Sequence, residues 1–196
     1  MEKILPGLYQ HNKGQLYKVL AVARSVQDRE PRVVFQELLG DYETWILPLS
    51  EWEKRFTPLN LEKAQLYLDK VGLMLLNNGK ILMARPKGKN VFYFPGGPRL
   101  AGETDMQCLS RKIKQELGVD IDSLSAQHYG TFIAQAHGQA PGDLVKLICY
   151  RANCKGKMRA DSIAEFAWLG YNQRNIVTPV AKLVFDELYY KGLIGD

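Results

Sequence analysis

Two patterns of apolar and polar positions divide the chain near residue 60. In the first part, short runs of β-branched and aromatic residues alternate with polar turns, which is typical of β-strands. Strands are predicted over residues 16–23, 32–38 and 44–47. A short helical turn is predicted over residues 50–56, where Trp52 and Phe56 stand four positions apart. The pattern indicates a small mostly-β domain over residues 1–60.

Apolar runs in the second part predict a β-hairpin and three further strands. Two runs, over residues 71–76 and 80–84, flank Asn77, Asn78 and Gly79. An Asn-Gly pair tolerates the positive φ angles of a tight hairpin turn. The further strands are predicted over residues 127–134, 144–152 and 165–169.

Two helices are indicated by the residues at their ends. Thr104 caps the first helix, Gln107 completes a capping box and Gly118 ends it. Its apolar stripe consists of Met106, Leu109, Ile113 and Leu117. The second helix begins with the cap and first-turn proline at residues 178–179 and ends at Gly192. Because strands and helices do not alternate regularly, we predict an α+β fold with a mixed sheet over residues 61–196.

The composition excludes a disordered chain and shows a small excess of basic over acidic residues. Hydrophobic residues make up 46% of the chain and charged residues 24%, as in ordinary globular proteins. The three cysteines lack the spacing of a structural zinc site. No apolar stretch approaches the roughly 18 residues of a membrane span, so we expect a cytoplasmic protein with no membrane partner. The net charge of +5 suits anionic ligands, and it belongs to residues 61–196, because residues 1–60 carry eight basic and eight acidic residues.

A glycine-rich segment ahead of the first helix carries the candidate chemistry. At such a position, backbone N–H groups can approach phosphate oxygens, and Gly96 and Gly97 are the candidate substrate-binding glycines. The spacing of this segment resembles the Nudix box. The positions that match the box without a gap are Gly97, Glu103, Arg111, Ile113, Glu116, Gly118 and Val119. With similar segments on either side, the resemblance covers about 130 residues, which is the size of one domain.

The resemblance implies a Nudix fold, with a mixed sheet, the box helix and a C-terminal helix. It also implies an activity. Nudix hydrolases cleave a nucleoside diphosphate linked to another group, using Mg²⁺ or Mn²⁺ and a glutamate base. The resemblance implies that Glu116 is a metal ligand and catalytic residue, and that Glu165 supplements it. It also implies that Arg111 braces the loop through Glu103 and that Gly118 is structural.

Two positions depart from the box and change the expected function. Where the family has three glutamates on one helix face, this chain has Lys112, Gln115 and Glu116. Mg²⁺ requires oxygen ligands, and an ammonium group cannot supply one. We therefore expect Mg²⁺ or Mn²⁺ to bind weakly if at all, and metal-dependent hydrolysis to be attenuated.

Alternatives remain open for this site. Lys112 and Glu116 could form a surface i,i+4 pair worth about 0.2–0.5 kcal/mol. Lys112 could instead hold a diphosphate as a point charge, which would make the domain a non-catalytic sensor of a nucleotide or an ADP-ribose-like ligand. Arg85 and Arg99 are candidate substrate-binding residues, or they form a solvated charged rim. Nudix proteins often dimerise, so a homodimer is a further expectation.

Residues 7–56 resemble a small bacterial domain of unknown function. The resemblance rests on a His-x-Lys-Gly turn at residues 11–14, Tyr17-Lys18-Val19, and a Trp-x-x-Pro-Leu strand at residues 45–49. Trp45 and Trp52 could stack on a base, although a small core explains them more simply. A nucleic-acid partner is left open here without support from the sequence.

Overall fold

The computed structural model describes residues 4–38, 43–59, 66–140 and 142–196. The chain divides into two compact units, which we call the first unit (Met1–Leu66 with Ala134–Leu144) and the second unit (Tyr67–Ile133 with Val145–Asp196). The predicted boundary between residues 60 and 61 lies outside the described residues. Domains over residues 1–60 and 61–196 therefore stay a prediction.

An antiparallel five-stranded sheet forms the first unit. Its strands are β1 (Gly7–His11), β2 (Leu16–Arg24), β3 (Pro31–Glu37), β4 (Thr44–Pro48) and β5 (Phe56–Pro58), with helix α1 (Leu49–Trp52) between the last two. The spatial order is β4-β3-β2-β1-β5. Strands β2, β3 and β4 confirm the predicted strands to within one residue at each end. The short edge strand β5 was not predicted, because Phe56 was assigned to the helical turn and residues 57–58 to its end.

Aromatic side chains pack the core of the first unit. Trp52 and Phe56 stack with ring centroids 3.7 Å apart, and Tyr9 meets Trp52 edge-on at 5.4 Å. Trp52 is fully buried, so it cannot stack on a ligand base. The helical turn is shorter than predicted, because α1 ends at Trp52 and Phe56 begins β5.

The remaining strands and two longer helices give the predicted α+β arrangement. The longer strands are β6 (Leu66–Leu73), β8 (Lys80–Arg85), β11 (Gln127–Gln135), β12 (Leu144–Arg151) and β14 (Glu165–Leu169). The short strands are β7 (Leu76–Asn77), β9 (Gly96–Pro98), β10 (Asp120–Ile121) and β13 (Cys154–Lys155). The sheets have the orders β11-β12-β6-β9, β14-β8-β7 and β10-β13. The helices are α2 (Asp105–Leu117) and α3 (Pro179–Tyr190), and in the described part of the chain none is long and apolar enough to cross a bilayer.

The predicted hairpin is correct at its turn and wrong in its first strand. Asn78 and Gly79 adopt φ angles of +48° and +70°, and Asn77, which was predicted in the turn, ends β7 and pairs with Lys80. However, β6 ends at Leu73 and belongs to a different sheet, where the Leu73 N–H donates to the Pro95 carbonyl. The apolar run over residues 71–76 therefore joins two strands of different sheets.

Helix α2 has the predicted ends and buried face. Thr104 and Gln107 form both hydrogen bonds of the capping box, and Gly118 takes the left-handed conformation with φ of +69°. Leu109, Ile113 and Leu117 are fully buried against the apolar side chains of β6 and β8. With this face fixed in the core, Lys112 and Glu116 are set beside β9.

Candidate functional site

The glycine-rich segment forms a strand at the edge of a sheet. Gly97 pairs with Val71 and Gly96 with Gly72, so β9 runs antiparallel to β6. Gly96 has a φ of +137°, and a Cβ atom there would lie 2.1 Å from the Val71 carbonyl oxygen. At Gly97 a Cβ atom would instead lie 2.5 Å from Cε of Lys112. The two glycines therefore allow close approach to different neighbours, backbone in one case and a lysine side chain in the other.

Gly96→Ala is expected to lower the free energy of unfolding by about 2–4 kcal/mol, because the clash is with backbone atoms and the φ angle is strained for alanine. Gly97→Ala should cost about 1 kcal/mol or less, because the flexible end of Lys112 can shift. Chemical denaturation of the two variants measures the difference. Equal losses of stability would contradict this account of β9.

Glu116 fastens helix α2 to the glycine strand. Its carboxylate is buried; Oε2 accepts from the Gly96 N–H and Oε1 from the Tyr93 hydroxyl, both at 2.9 Å. Burial, together with the neighbouring Glu116, raises the pKa of Tyr93, so its hydroxyl stays protonated and donates. The box spacing indicates Glu116 in the sequence, whereas Tyr93 lies outside the box and no motif indicates it.

Two lysines stand beside this carboxylate. Lys112 Nζ lies 3.7 Å from Glu116 Oε1, and the Lys112 side chain is 23% exposed. Lys70, on β6, is buried, with Nζ 3.4 Å from the Phe94 carbonyl oxygen and 4.6 Å from the centroid of the Tyr93 ring. Burial lowers the pKa of Lys70 to about 8, against an opposing effect of Glu116. The site thus holds two amino groups and one carboxylate next to the glycines.

Lys70 was missed because no motif includes it. The available signal was a lysine directly before the apolar run over residues 71–76, which was predicted to form a strand. A lysine in such a run is rarely buried without a special environment. The pattern could have marked the residue as unusual without indicating its partners.

Arg111 and Glu103 form the bracing pair expected from the resemblance. Arg111 donates from Nε to Glu103 Oε1 at 2.6 Å and from Nη2 to Oε2 at 2.7 Å. Glu103 also accepts from the Leu100 N–H, and these bonds lower its pKa to about 2. The carboxylate of Glu103 is therefore committed to holding the loop between β9 and α2.

The other predicted site residues lie in separate ion pairs. Arg85 donates to Glu165 at 2.7 Å, where the two residues face each other across β8 and β14. Arg99 contacts Asp69 at 2.8 Å and also pairs with Asp105. The geometry brings Gly96, Gly97, Lys112 and Glu116 together and gives each remaining charge a protein partner.

The residues present do not fit the divalent metal ion of the family. Among the described residues, no group of three or more His, Cys, Asp or Glu side chains is arranged to hold a metal. Glu116 is a single carboxylate that already accepts two hydrogen bonds, and an ammonium group lies 3.7 Å away. Mg²⁺ takes oxygen ligands and is repelled by such a cation. The role of Glu116 as a metal ligand stays a prediction, and these contacts do not favour it.

Comparison with known proteins agrees with both resemblances. The family model for the NUDIX domain matches residues 66–184, and one described as a protein of unknown function (DUF1653) matches residues 7–58. An RNA pyrophosphohydrolase from Marinomonas sp. (strain MWYL1) is 40% identical over 55 residues, which are 28% of this chain and 34% of that protein. The chain thus matches about a third of the length of this curated relative.

Solved structures show the same fold at low sequence identity. The MutT protein of Methanosarcina mazei Go1 has a TM-score of 0.51 at 14% identity, covering 65% of this chain and 96% of its own. A NUDIX hydrolase from Nitrosomonas europaea has a TM-score of 0.51 at 16% identity, covering 65% and 91%. Since the family model spans more than half of the sequence, the chain belongs to the Nudix family, with a Nudix fold that follows a small β domain.

Proposed function

We propose that the Nudix site of this chain binds a nucleoside diphosphate derivative through lysine side chains, with metal-dependent hydrolysis attenuated. The family acts on nucleotide-derived diphosphates, and we carry that ligand class over to this chain. The supporting observation is the Lys112 ammonium group, 3.7 Å from the Glu116 carboxylate. It places a cation of the protein where the resemblance implies a metal ion.

Electrostatics favours an anion at this place. Lys112 is partly exposed, so its ammonium group can donate to a phosphate oxygen at the surface of the site. Lys70 lies deeper and adds positive charge when it is protonated. A lysine acts as a point charge toward phosphate and requires no fixed bidentate geometry. The two lysines therefore supply part of the neutralisation that a divalent ion provides in the family.

The same contacts disfavour catalysis. A general base has to reach the attacking water within hydrogen-bond distance. Both oxygens of Glu116 already accept hydrogen bonds, from Tyr93 and Gly96, and Glu165 is paired with Arg85. Because the residues that the structure describes hold no cluster of carboxylates for a metal, we infer a site that retains a diphosphate and activates water poorly.

A hydrolysis screen tests this proposal. The unmodified chain is incubated with nucleoside diphosphate derivatives and with RNA carrying a 5′-triphosphate, in Mg²⁺ and in Mn²⁺. We expect turnover at least about 100-fold below that of a Nudix hydrolase in the same assay, because loss of metal-site partners costs about 10- to 100-fold each. Rapid turnover that Glu116→Gln abolishes would refute the proposal.

A further inference from the structure

A small pocket opens on one face of the five-stranded sheet in the first unit. Its volume is about 220 Å³. The rings that line it belong to His11, Tyr17, Phe35, Trp45 and Phe56, and Glu37 and Arg55 add charged groups. This pocket lies within the first unit and is independent of the proposed function of the Nudix site.

Strand register explains why so many rings share this face. Residues directly opposite each other in an antiparallel pair point to the same side of the sheet. His11 is opposite Phe56, Tyr17 is opposite Glu37, and Phe35 is opposite Trp45.

One part of this face is closed and the other is open. Trp52 packs on Phe35 and Phe56, with ring centroids 4.8 and 3.7 Å away, and is fully buried. Trp45, on edge strand β4, is 48% exposed. The buried rings therefore form a rigid floor, and Trp45 is a large aromatic surface that remains open to solvent beside it.

The polar groups of the pocket offer both donors and acceptors. Nδ1 of His11 accepts from the backbone N–H of Lys13 at 3.1 Å, so a neutral His11 ring carries its proton on Nε2 as a donor. Burial, with the nearby cations Lys13 and Arg55, lowers the pKa of His11 and keeps the ring neutral at pH 7. The Glu37 carboxylate at the pocket is an acceptor group, and Arg55 is a donor group that also pairs with Glu51 at 2.7 Å.

We propose that this pocket binds a single nucleobase, which stacks on Trp45 and hydrogen-bonds to the polar groups at the rim. Pockets for larger ligands have volumes of about 300–1,000 Å³. This pocket is smaller, so it accepts a ring system and leaves the sugar and phosphate outside. Base stacking on aromatic side chains is favourable for every base. Heterocyclic bases carry both donors and acceptors, which matches His11, Glu37 and Arg55.

The charges in and around the pocket favour recognition of the base and not of the phosphate backbone. Residues 1–60 have equal numbers of basic and acidic side chains, so this part of the chain does not attract a polyanion as a whole. The cations Lys13 and Arg55, which act on His11 at the pocket, disfavour a quaternary ammonium ligand in the aromatic site. The base can come from a free nucleotide or from an unpaired position of a single strand.

Calorimetric titration of the full chain with the four ribonucleosides tests the proposal. Nucleosides lack phosphate, so they probe this pocket separately from Lys70 and Lys112. We expect saturable binding that Trp45→Ala weakens about 10-fold or more and that Trp45→Phe largely retains. Glu37→Gln should change the ranking of the four nucleosides. Val26→Ala, at a 97% exposed position of the same unit, should leave binding unchanged.

A single-stranded oligonucleotide distinguishes the two sources of the base. Affinity that rises about 10-fold or more over the nucleoside supports an unpaired base of a strand, and equal affinity per base supports a free nucleotide. Absence of nucleoside binding at millimolar concentration would overturn the proposal. Binding that survives in folded Trp45→Ala would overturn it as well.

Discussion

The double substitution Lys112→Glu/Gln115→Glu is expected to give the chain Mg²⁺-dependent hydrolysis of nucleoside diphosphate derivatives. It adds two carboxylates, which with Glu116 make three at spacing i, i+3 and i+4, and it removes the ammonium group that lies 3.7 Å from Glu116. Carboxylate oxygens are the ligands that Mg²⁺ requires. We expect turnover in Mg²⁺ to rise about 10- to 100-fold. The rate as a function of Mg²⁺ concentration is the measurement.

A matched control separates metal binding from a change of net charge. Lys114→Glu reverses a charge on the same helix, at a side chain that is 54% exposed and paired with Asp120. It should leave turnover at the level of the unmodified chain. An equal gain in Lys114→Glu would attribute the effect to charge alone, and no gain in the double variant would contradict the assignment of Lys112 to the metal position.

Lys70→Met is expected to stabilise the protein at pH 7 while weakening its hold on a diphosphate. A pKa of about 8, against 10.5 for a free lysine, means that the charged form of Lys70 is disfavoured in the fold by about 3 kcal/mol. Methionine carries no such cost and has a similar shape, so unfolding free energy should rise by about 1–3 kcal/mol. Removing the ammonium group should lower affinity for a nucleoside diphosphate analogue, measured by calorimetry.

The higher stability of Lys70→Met relative to the unmodified chain should disappear as the pH rises. The pKa of Lys70 is lower in the folded chain than in the unfolded chain. Between pH 8 and 10.5 the unfolded chain therefore binds more protons, and the stability of the unmodified protein rises with pH. The difference in unfolding free energy between variant and unmodified chain should therefore be largest below pH 8 and shrink toward pH 10.5. Urea denaturation across this range measures it. Exposed Lys80→Met is the control, and a difference that is independent of pH would contradict a buried, charged Lys70.

Local signals in the sequence predicted helix α2 and its part of the site. Thr104 and Gln107 fix one end, Gly118 fixes the other, and a period of 3.6 residues sets the buried face. The resemblance to the Nudix box then implied the Arg111–Glu103 pair, and the helical spacing put Lys112 and Glu116 on one face of α2. These features were predictable because their residues lie close together in the chain.

Long-range contacts explain what the sequence did not reveal. Lys70 reaches the site because β6 pairs with β9, about 26 residues further along, and strand pairing of this kind leaves no local pattern. Tyr93 lies 23 positions before its partner Glu116. The same limit applies to the aromatic pocket, where β4 and β5 bring Trp45 and Phe56 to one face of the sheet.

We propose that lysine side chains hold a diphosphate in this Nudix site without a metal ion. The most direct test is calorimetric titration of the unmodified chain with a non-hydrolysable nucleoside diphosphate analogue, in EDTA and in Mg²⁺. We predict similar affinity in both conditions and a loss of about 10-fold or more in Lys112→Met, because a hydrogen bond to a charged group contributes about 1.5–3 kcal/mol. Binding that requires Mg²⁺ and is unaffected by Lys112→Met would contradict the claim.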